Sequence, residues 1–335
     1  MKRWTEYTKD EYQNAAENRN EIIDKAIKYL GYSDRVQAIQ EVSRESAVVT
    51  LLAGSGSRWV KSIQAAREAG EKVDFDLDKP RGLFPVKNLL ASVPGDSIPI
   101  AAYSLSAVKG IGEHLIMTSG YEDEIEEEIL KPLGFNKQQY SFQQQELFQG
   151  KPLGHGAAAL QTKAFWEKKK YVVFNFGGDA NSRCTIEDSL IMLAALDAAG
   201  ENADLVMPAA WVENPAYTIE TNENGLPVGF VHAKLTGKAG KVSEGWSNVG
   251  VRLYRTGGLA QALEDLHSKY WDPELGYQVP GNAGNELALD NADAWLAERK
   301  RVRLFTIAQP QEITPAKTLD AIPAYLQAVK EILAR

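Results

Sequence analysis

Apolar positions follow two rhythms along this chain. From Met1 to about Arg44 they recur at helical spacing, as Ile22, Ile23, Ala26, Ile27 and Leu30, then Val36, Ile39 and Val42. Gly31-Tyr32-Ser33-Asp34 separates the two runs, with Ser33 or Asp34 placed to act as an N-cap. Residues 1–45 therefore read as a helical extension packed on the main domain. From Ala47 onward short apolar runs alternate with helical patterns. Ala47–Leu52, His114–Ser119, Tyr140–Gln145, Tyr171–Phe176 and Asp204–Ala210 read as strands. Ile98–Lys109, Tyr121–Leu133, Ala157–Lys169 and Ile186–Ala199 read as helices. This alternation predicts an α/β fold with a doubly wound, mostly parallel, Rossmann-like sheet, whose ligand sits at the carboxyl ends of the strands.

After Pro208 the pattern changes to a mixed β insertion. Thr218–Thr221 and Val228–His232 flank a turn at Asn222–Gly225 and read as a hairpin. Ser247–Arg255 reads as one further strand, Leu259–Tyr270 and Asn285–Lys300 as helices, Val302–Ala308 as a strand and Pro315–Ala334 as a closing helix. The organisation expected is a first half over about 46–210, a second half over about 211–310 and the closing helix 315–334, within one domain spanning 46–335.

The densest chemistry lies between Ser46 and Val86. The first strand runs into Ala53-Gly54-Ser55-Gly56-Ser57-Arg58, and Asp78-Lys79-Pro80-Arg81-Gly82-Leu83-Phe84-Pro85-Val86 comes about two dozen residues later. A buried strand that opens into small residues brings backbone N–H groups close to a polyphosphate, and an arginine ending the loop adds a guanidinium for the same anion. Two better-known loops are excluded. Gly-x-Gly-x-x-Gly would need a glycine where Trp59 stands, and a P-loop would need Gly-Lys-Ser/Thr.

Taken in order along the chain, these segments resemble the sugar-1-phosphate nucleotidyltransferases, or nucleotide-sugar pyrophosphorylases, across roughly residues 46–320. The resemblance implies a GT-A type, Rossmann-like domain and a Mg²⁺-dependent reaction between an NTP and a sugar-1-phosphate that gives a nucleotide sugar and pyrophosphate. Leu52, Ala53, Gly54, Ser55, Gly56 and Ser57 would carry the triphosphate with Arg58. The family's lysine falls at Arg81, so either Arg81 substitutes for it or Lys79 swings in. Gln149, Gly154 and His155, in Gln149–Ala157, resemble the base-binding segment of enzymes that take UTP, and Phe142–Gln145 points to the same branch.

Gly177-Gly178-Asp179 closes an apolar strand, where a carboxylate can bridge Mg²⁺ and phosphates. The resemblance makes Asp179 the metal ligand beside Gly178. It offers Glu312, ahead of Thr314-Pro315, as the second, with Asp290 as a substitute. For the sugar phosphate it points to Lys234, Asn248 and Glu286; the family's usual glutamate before the lysine is Ala233 here. Trp211, Trp246, Trp271 and Tyr277 either line a sugar pocket or pack in the core.

Composition narrows the field. A net charge of −8 argues against non-specific nucleic-acid binding, so a polyphosphate site must be locally basic. Cys184 is the single cysteine, and the four histidines show no i,i+4 pair, which excludes multi-cysteine zinc and His-based sites. No apolar run reaches membrane length and no signal-peptide core is present near Met1, so the expected location is the cytoplasm and the expected partners are small molecules. Two other readings remain open. A GT-A-type glycosyltransferase would use Asp179-Ala180-Asn181 in place of Asp-x-Asp, and a nucleotide-binding relative would lack turnover altogether.

Overall fold

The structure is a computed structural model that describes residues 18–54, 56–215, 217–223, 225–232, 242–282 and 285–334. Two helices lead, α1 (Arg19–Tyr29) and α2 (Arg35–Arg44). Asp34 caps α2 by accepting the Gln37 N–H at 2.9 Å. Strand β1 (Ser46–Leu51) then runs into α3 (Ser57–Glu68), and α4 (Ala101–Val108) precedes β2 (Glu113–Thr118) and β3 (Tyr140–Gln144). Helix α5 (His155–Gln161), β4 (Tyr171–Phe176), α6 (Arg183–Ala198) and β5 (Leu205–Glu213) come next. The second half holds the hairpin β6 (Tyr217–Thr221) and β7 (Pro227–His232), β8 (Glu244–Asn248), β9 (Val251–Arg255), α7 (Thr256–Tyr270), α8 (Leu289–Glu298), β10 (Val302–Phe305) and α9 (Ile322–Leu333).

One mostly parallel sheet organises the α/β molecule, in the order β8-β5-β9-β4-β1-β2-β3, with β10 also paired to β5. The pairs β1 with β2, β1 with β4, β2 with β3 and β5 with β10 are parallel. Strand β9 is antiparallel to both β4 and β5, so the second half enters the main sheet and does not form a sheet apart. β1 and β4 are almost wholly buried, which is why both read as unbroken apolar runs. α6 buries every residue from Thr185 to Leu196, because α1 and α2 cover the side turned away from the sheet. Arg19 and Arg35 from those helices both pair with Asp188 on α6.

Several elements depart from the sequence pattern. The strand expected over Ser247–Arg255 is two strands, broken at Val249-Gly250 where the chain passes Asp179. The helix expected from Asn285 starts at Leu289, because Leu287 is extended and pairs with Leu153 and Gly156 at 2.8 Å each. The closing helix starts at Ile322, not Pro315. Residues 314–318 form a strap instead, in which the Ala316 N–H donates to the Gly178 carbonyl at 3.1 Å and the Leu319 N–H to Ser62 Oγ at 3.1 Å. Tyr121–Leu133 is one α turn, Glu122–Ile125, continued as a π turn over Glu126–Leu130.

His114 on β2 is buried with no hydrogen-bond partner for either ring nitrogen among the described residues, and its ring meets Phe135 edge-on at 5.1 Å. Burial alone pushes its pKa down to about 4. The folded chain thus keeps His114 neutral while the unfolded chain takes up a proton near pH 6.5. This one group should cost about 3 kcal/mol of folding stability as the pH falls from ~6.5 to ~4. His114→Leu is expected to flatten that part of the stability profile; denaturant melts showing the same pH slope in both proteins would contradict this.

Candidate functional site

A cleft of about 660 Å³ opens at the carboxyl ends of β1, β4 and β5, and one of its ends is basic. Gly56 at φ 73° sets the entry to α3, and Arg58 in the first turn of that helix lines the cleft. Arg81 arrives from a single 3₁₀ turn, Arg81–Leu83. Its guanidinium lies against Gly178, where an added Cβ would meet Nη2 at 2.2 Å, so any side chain at 178 would displace the arginine. Lys317 comes from the strap. Asp179 faces these cations at the end of β4, backed by Gly250, where an added Cβ would meet the Asp179 carboxylate at 2.2 Å.

The electrostatics follow from burial. Asp179 keeps part of its surface open to the cleft, yet protein atoms crowd its carboxyl group. That desolvation raises its pKa, opposed by Lys317, Arg81 and Arg252. Burial lowers the pKa of Arg81, against the pull of Asp179 and with a push from Arg58. Burial likewise lowers that of Lys317, which Asp179 opposes and Arg58 and Arg81 reinforce. Arg58, Arg81 and Lys317 therefore repel one another around one carboxylate. An incoming polyanion would relieve that repulsion.

The far end of the cleft is built on a buried charge network. Arg252 on β9 donates from Nε to Asp293 at 3.0 Å and from Nη1 to the Val249 carbonyl at 2.9 Å, and it pairs with Asp290 at 3.4 Å. Asn248, with its amide oxygen turned to the guanidinium, accepts from Arg252. The guanidinium sits 5.7 Å from the centre of the Tyr217 ring. Tyr254 donates to Asp293 at 2.5 Å. Burial opposes the charge on Arg252, but Asp293, Tyr217 and Asp290 outweigh it and hold its pKa above the ordinary value. Burial pushes Asp293 up to about 6 against the pull of Arg252, so the pair is ionised at neutral pH.

The sequence-derived residues divide accordingly. Arg58, Arg81, His155, Asp179, Asn248, Asp290 and Glu312 line one cleft. His155 accepts the Leu289 N–H on Nδ1 at 2.8 Å, which puts its proton on Nε2, and its ring stands edge-on to Phe176 at 5.5 Å. Gly154 caps α5 at φ 90°, against the Leu287 carbonyl. Gly178 packs on the Arg81 guanidinium. Leu52 is buried with Cδ1 against Gly82 and Gly177, so it supports the loop from inside, whereas Ala53, Gly54 and Ser57 carry the chain from β1 into α3 and Gly54 has open space beside it.

Other residues lie apart. Lys79 pairs with Glu124 at 3.4 Å and faces the Tyr121 ring, outside the cleft lining, whereas Arg81 is part of that lining. Gln149 donates to the Glu274 carbonyl at 2.9 Å, and Glu286 is exposed beside Gly154; neither lines the cleft. Trp211 packs on Trp246 at 5.2 Å and Trp271 on Tyr277 at 5.0 Å, all four outside the cleft lining. Ser55 and Lys234 lie outside the described residues.

Glu312 is 2 % exposed; its Oε1 accepts from Thr185 Oγ1 at 3.0 Å and from the Gln309 N–H at 3.1 Å, while Oε2 has no protein partner among the described residues. Asn181 is buried and donates to Asn175 at 2.8 Å, so the third position of Asp179-Ala180-Asn181 is turned into the core. Among the described residues no three His, Cys, Asp or Glu side chains converge. Mg²⁺ does not need such a cage, since one or two carboxylates plus substrate phosphates suffice, and a desolvated Asp179 facing the phosphate end fits that donor set.

Two residues of the site, Lys317 and Arg252, escaped the sequence reading. Lys317 had a signal, since it falls two positions after Pro315, in the segment that offered Glu312. Arg252 had a stronger one: a charge inside the apolar run Val249–Leu253 must be paired, and Asp290 and Asp293, three apart on one helix, are the partners. In comparisons with known proteins no family model matches the chain, and no curated protein is significantly similar to it. Among the described residues no helix is long and apolar enough to cross a membrane.

Proposed function

We propose that this protein is a Mg²⁺-dependent nucleotidyltransferase that joins an NTP, with UTP as the favoured base, to a sugar-1-phosphate and releases pyrophosphate. One observation carries the reading: Arg58, Arg81 and Lys317 surround Asp179 at the adjoining tips of the two central parallel strands. Three mutually repelling cations suit a triphosphate, although the lining as a whole also carries Arg252 and, beside Asp179, the carboxylates of Glu213, Asp290 and Glu312. The strand order, with antiparallel β9 between parallel β4 and β5, suits a GT-A type sheet.

In the reaction, an oxygen of the sugar phosphate forms a bond to the α-phosphorus as the bond to the bridging oxygen of the β-phosphate breaks, and pyrophosphate leaves with that electron pair. The attacking phosphate is anionic at pH 7 and needs no general base. Arg58 and Arg81 offer forked donors to the triphosphate, and Lys317 adds a compact charge where negative charge builds up. Mg²⁺, when bound by Asp179, would supply further neutralisation of the phosphates. His155 and Phe176 give one wall of the cleft a flat, partly apolar surface for a base. Asn248, held by Arg252, and Asp290 present polar groups toward a sugar.

A pyrophosphate-release assay crossing the four NTPs with a panel of sugar-1-phosphates and Mg²⁺ tests the reading. Pyrophosphate from UTP, dependent on both the sugar phosphate and the metal, is the expected result; UDP release from a nucleotide sugar would support a glycosyltransferase instead. Nucleotide binding without product would support a non-catalytic relative. The inward hydrogen bonds of Glu312 are the one observation on that side, since they engage one oxygen of the second carboxylate the resemblance offered.

A further inference from the structure

We infer that Glu312 is a positioning residue for Asp179, acting as a brace on the first turn of α6, and that Arg19 makes the N-terminal helices part of the same support. Helix α6 begins four residues after Asp179, and its own N-cap, Ser182, makes no side-chain capping bond. Glu312, in the 3₁₀ turn Pro310–Ile313 just before the strap, supports the start of the helix instead. Its carboxylate accepts from Thr185 Oγ1 at 3.0 Å and from the Gln309 N–H at 3.1 Å, so it ties the first turn of the helix to the 3₁₀ turn. The turn between β4 and α6 is pinned at two more points, Asn181 to Asn175 at 2.8 Å and Ala316 to the Gly178 carbonyl at 3.1 Å. The strap that follows this 3₁₀ turn carries Lys317, so one continuous segment supplies both signs of charge to the cleft.

Arg19 extends the support outward. It donates to Asp188 on α6 at 2.6 Å, its charge acts on Glu312, and it is not among the residues lining the cleft. Arg35 on α2 holds the other oxygen of Asp188 at 2.5 Å. Both N-terminal helices are thus tied to the helix whose first turn sets Asp179.

Hydrogen exchange on the full chain, with no substrate present, separates this role from metal binding. Glu312→Ala and Arg19→Ala should speed exchange of the amides over residues 177–185, by about tenfold for Glu312→Ala, the size of one lost hydrogen bond to a charged group. Glu312→Gln keeps an oxygen for Thr185 and Gln309, so exchange should stay within about twofold of wild type. Under the proposed activity, Glu312→Gln should also keep kcat and the Mg²⁺ concentration for half-maximal rate. Glu312→Ala should lower kcat more than it raises the KM for the nucleotide. Unchanged exchange in a folded Glu312→Ala protein would overturn the inference, as would Glu312→Gln matching Asp179→Asn in its metal dependence. Absent turnover in the wild type would count against the proposed activity alone, because the exchange measurement still decides the bracing role.

Discussion

Asp179→Asn should lower metal-dependent turnover by at least about 100-fold while leaving the melting temperature equal to or above that of the wild type. The two halves of this expectation have one cause. Burial raises the pKa of Asp179, so its ionised form costs folding free energy. A carboxyl group whose folded pKa lies above its unfolded value stabilises the fold below that unfolded value, near 3.8, and loses the contribution as pH rises through the folded one. At pH 7 the ionised group therefore costs folding stability, and under the proposed activity its charge is what holds the metal. Asparagine removes the charge at nearly constant shape, and Gly250 behind it leaves room for an amide of the same size. Activity assays and thermal melts at pH 7 check both parts. Near-normal turnover would remove Asp179 from the metal site, and a large drop in melting temperature would show the carboxylate to be structural.

The second large effect is expected at Asp293→Ala, with a loss of about 3–5 kcal/mol, because Arg252 would stay charged and buried with its closest partner gone. Arg252 cannot shed its proton to escape, and the Val249 and Val251 carbonyls and Asp290 do not replace a carboxylate at 3.0 Å. Arg252→Met combined with Asp293→Leu should recover most of the loss, since the one charge then left without Arg252 is that of Asp290, which lines the open cleft. Urea denaturation of the two single mutants and the double mutant gives the coupling. A loss below about 1 kcal/mol in Asp293→Ala, or a double mutant no more stable than the singles, would contradict the picture of a desolvated pair. The same network holds Asn248, so the single mutants should also weaken use of the second substrate.

What the sequence made legible was local. The apolar runs of β1 and β4, the helical stripe of α1 and the Asp34 cap each depend on neighbours a few residues away, and each appears where the pattern placed it. Arg58 and Asp179 could be singled out because each follows a strand that the pattern located, and Arg81 because the resemblance places the family's lysine there. The misplaced boundaries have tertiary causes. Nothing near Gly250 in sequence announces that Asp179 will lie against it and break the strand there. Residues 285–288 have helical composition, yet Leu287 is held extended by the Leu153–Gly156 loop. Glu312 read as a metal ligand because of its neighbours in sequence; its partners, Thr185 and Ser182, come from a helix about 130 residues earlier. Lys317 reaches the phosphate end only because the strap stays unwound to bond Gly178.

A crystal of the protein soaked with UTP and Mg²⁺ tests the central claim most directly. The account predicts the triphosphate against Arg58, Arg81 and Lys317, with the metal ion bound to Asp179 and to phosphate oxygens. A nucleotide lodged elsewhere, or a metal ion bound away from Asp179, would contradict it.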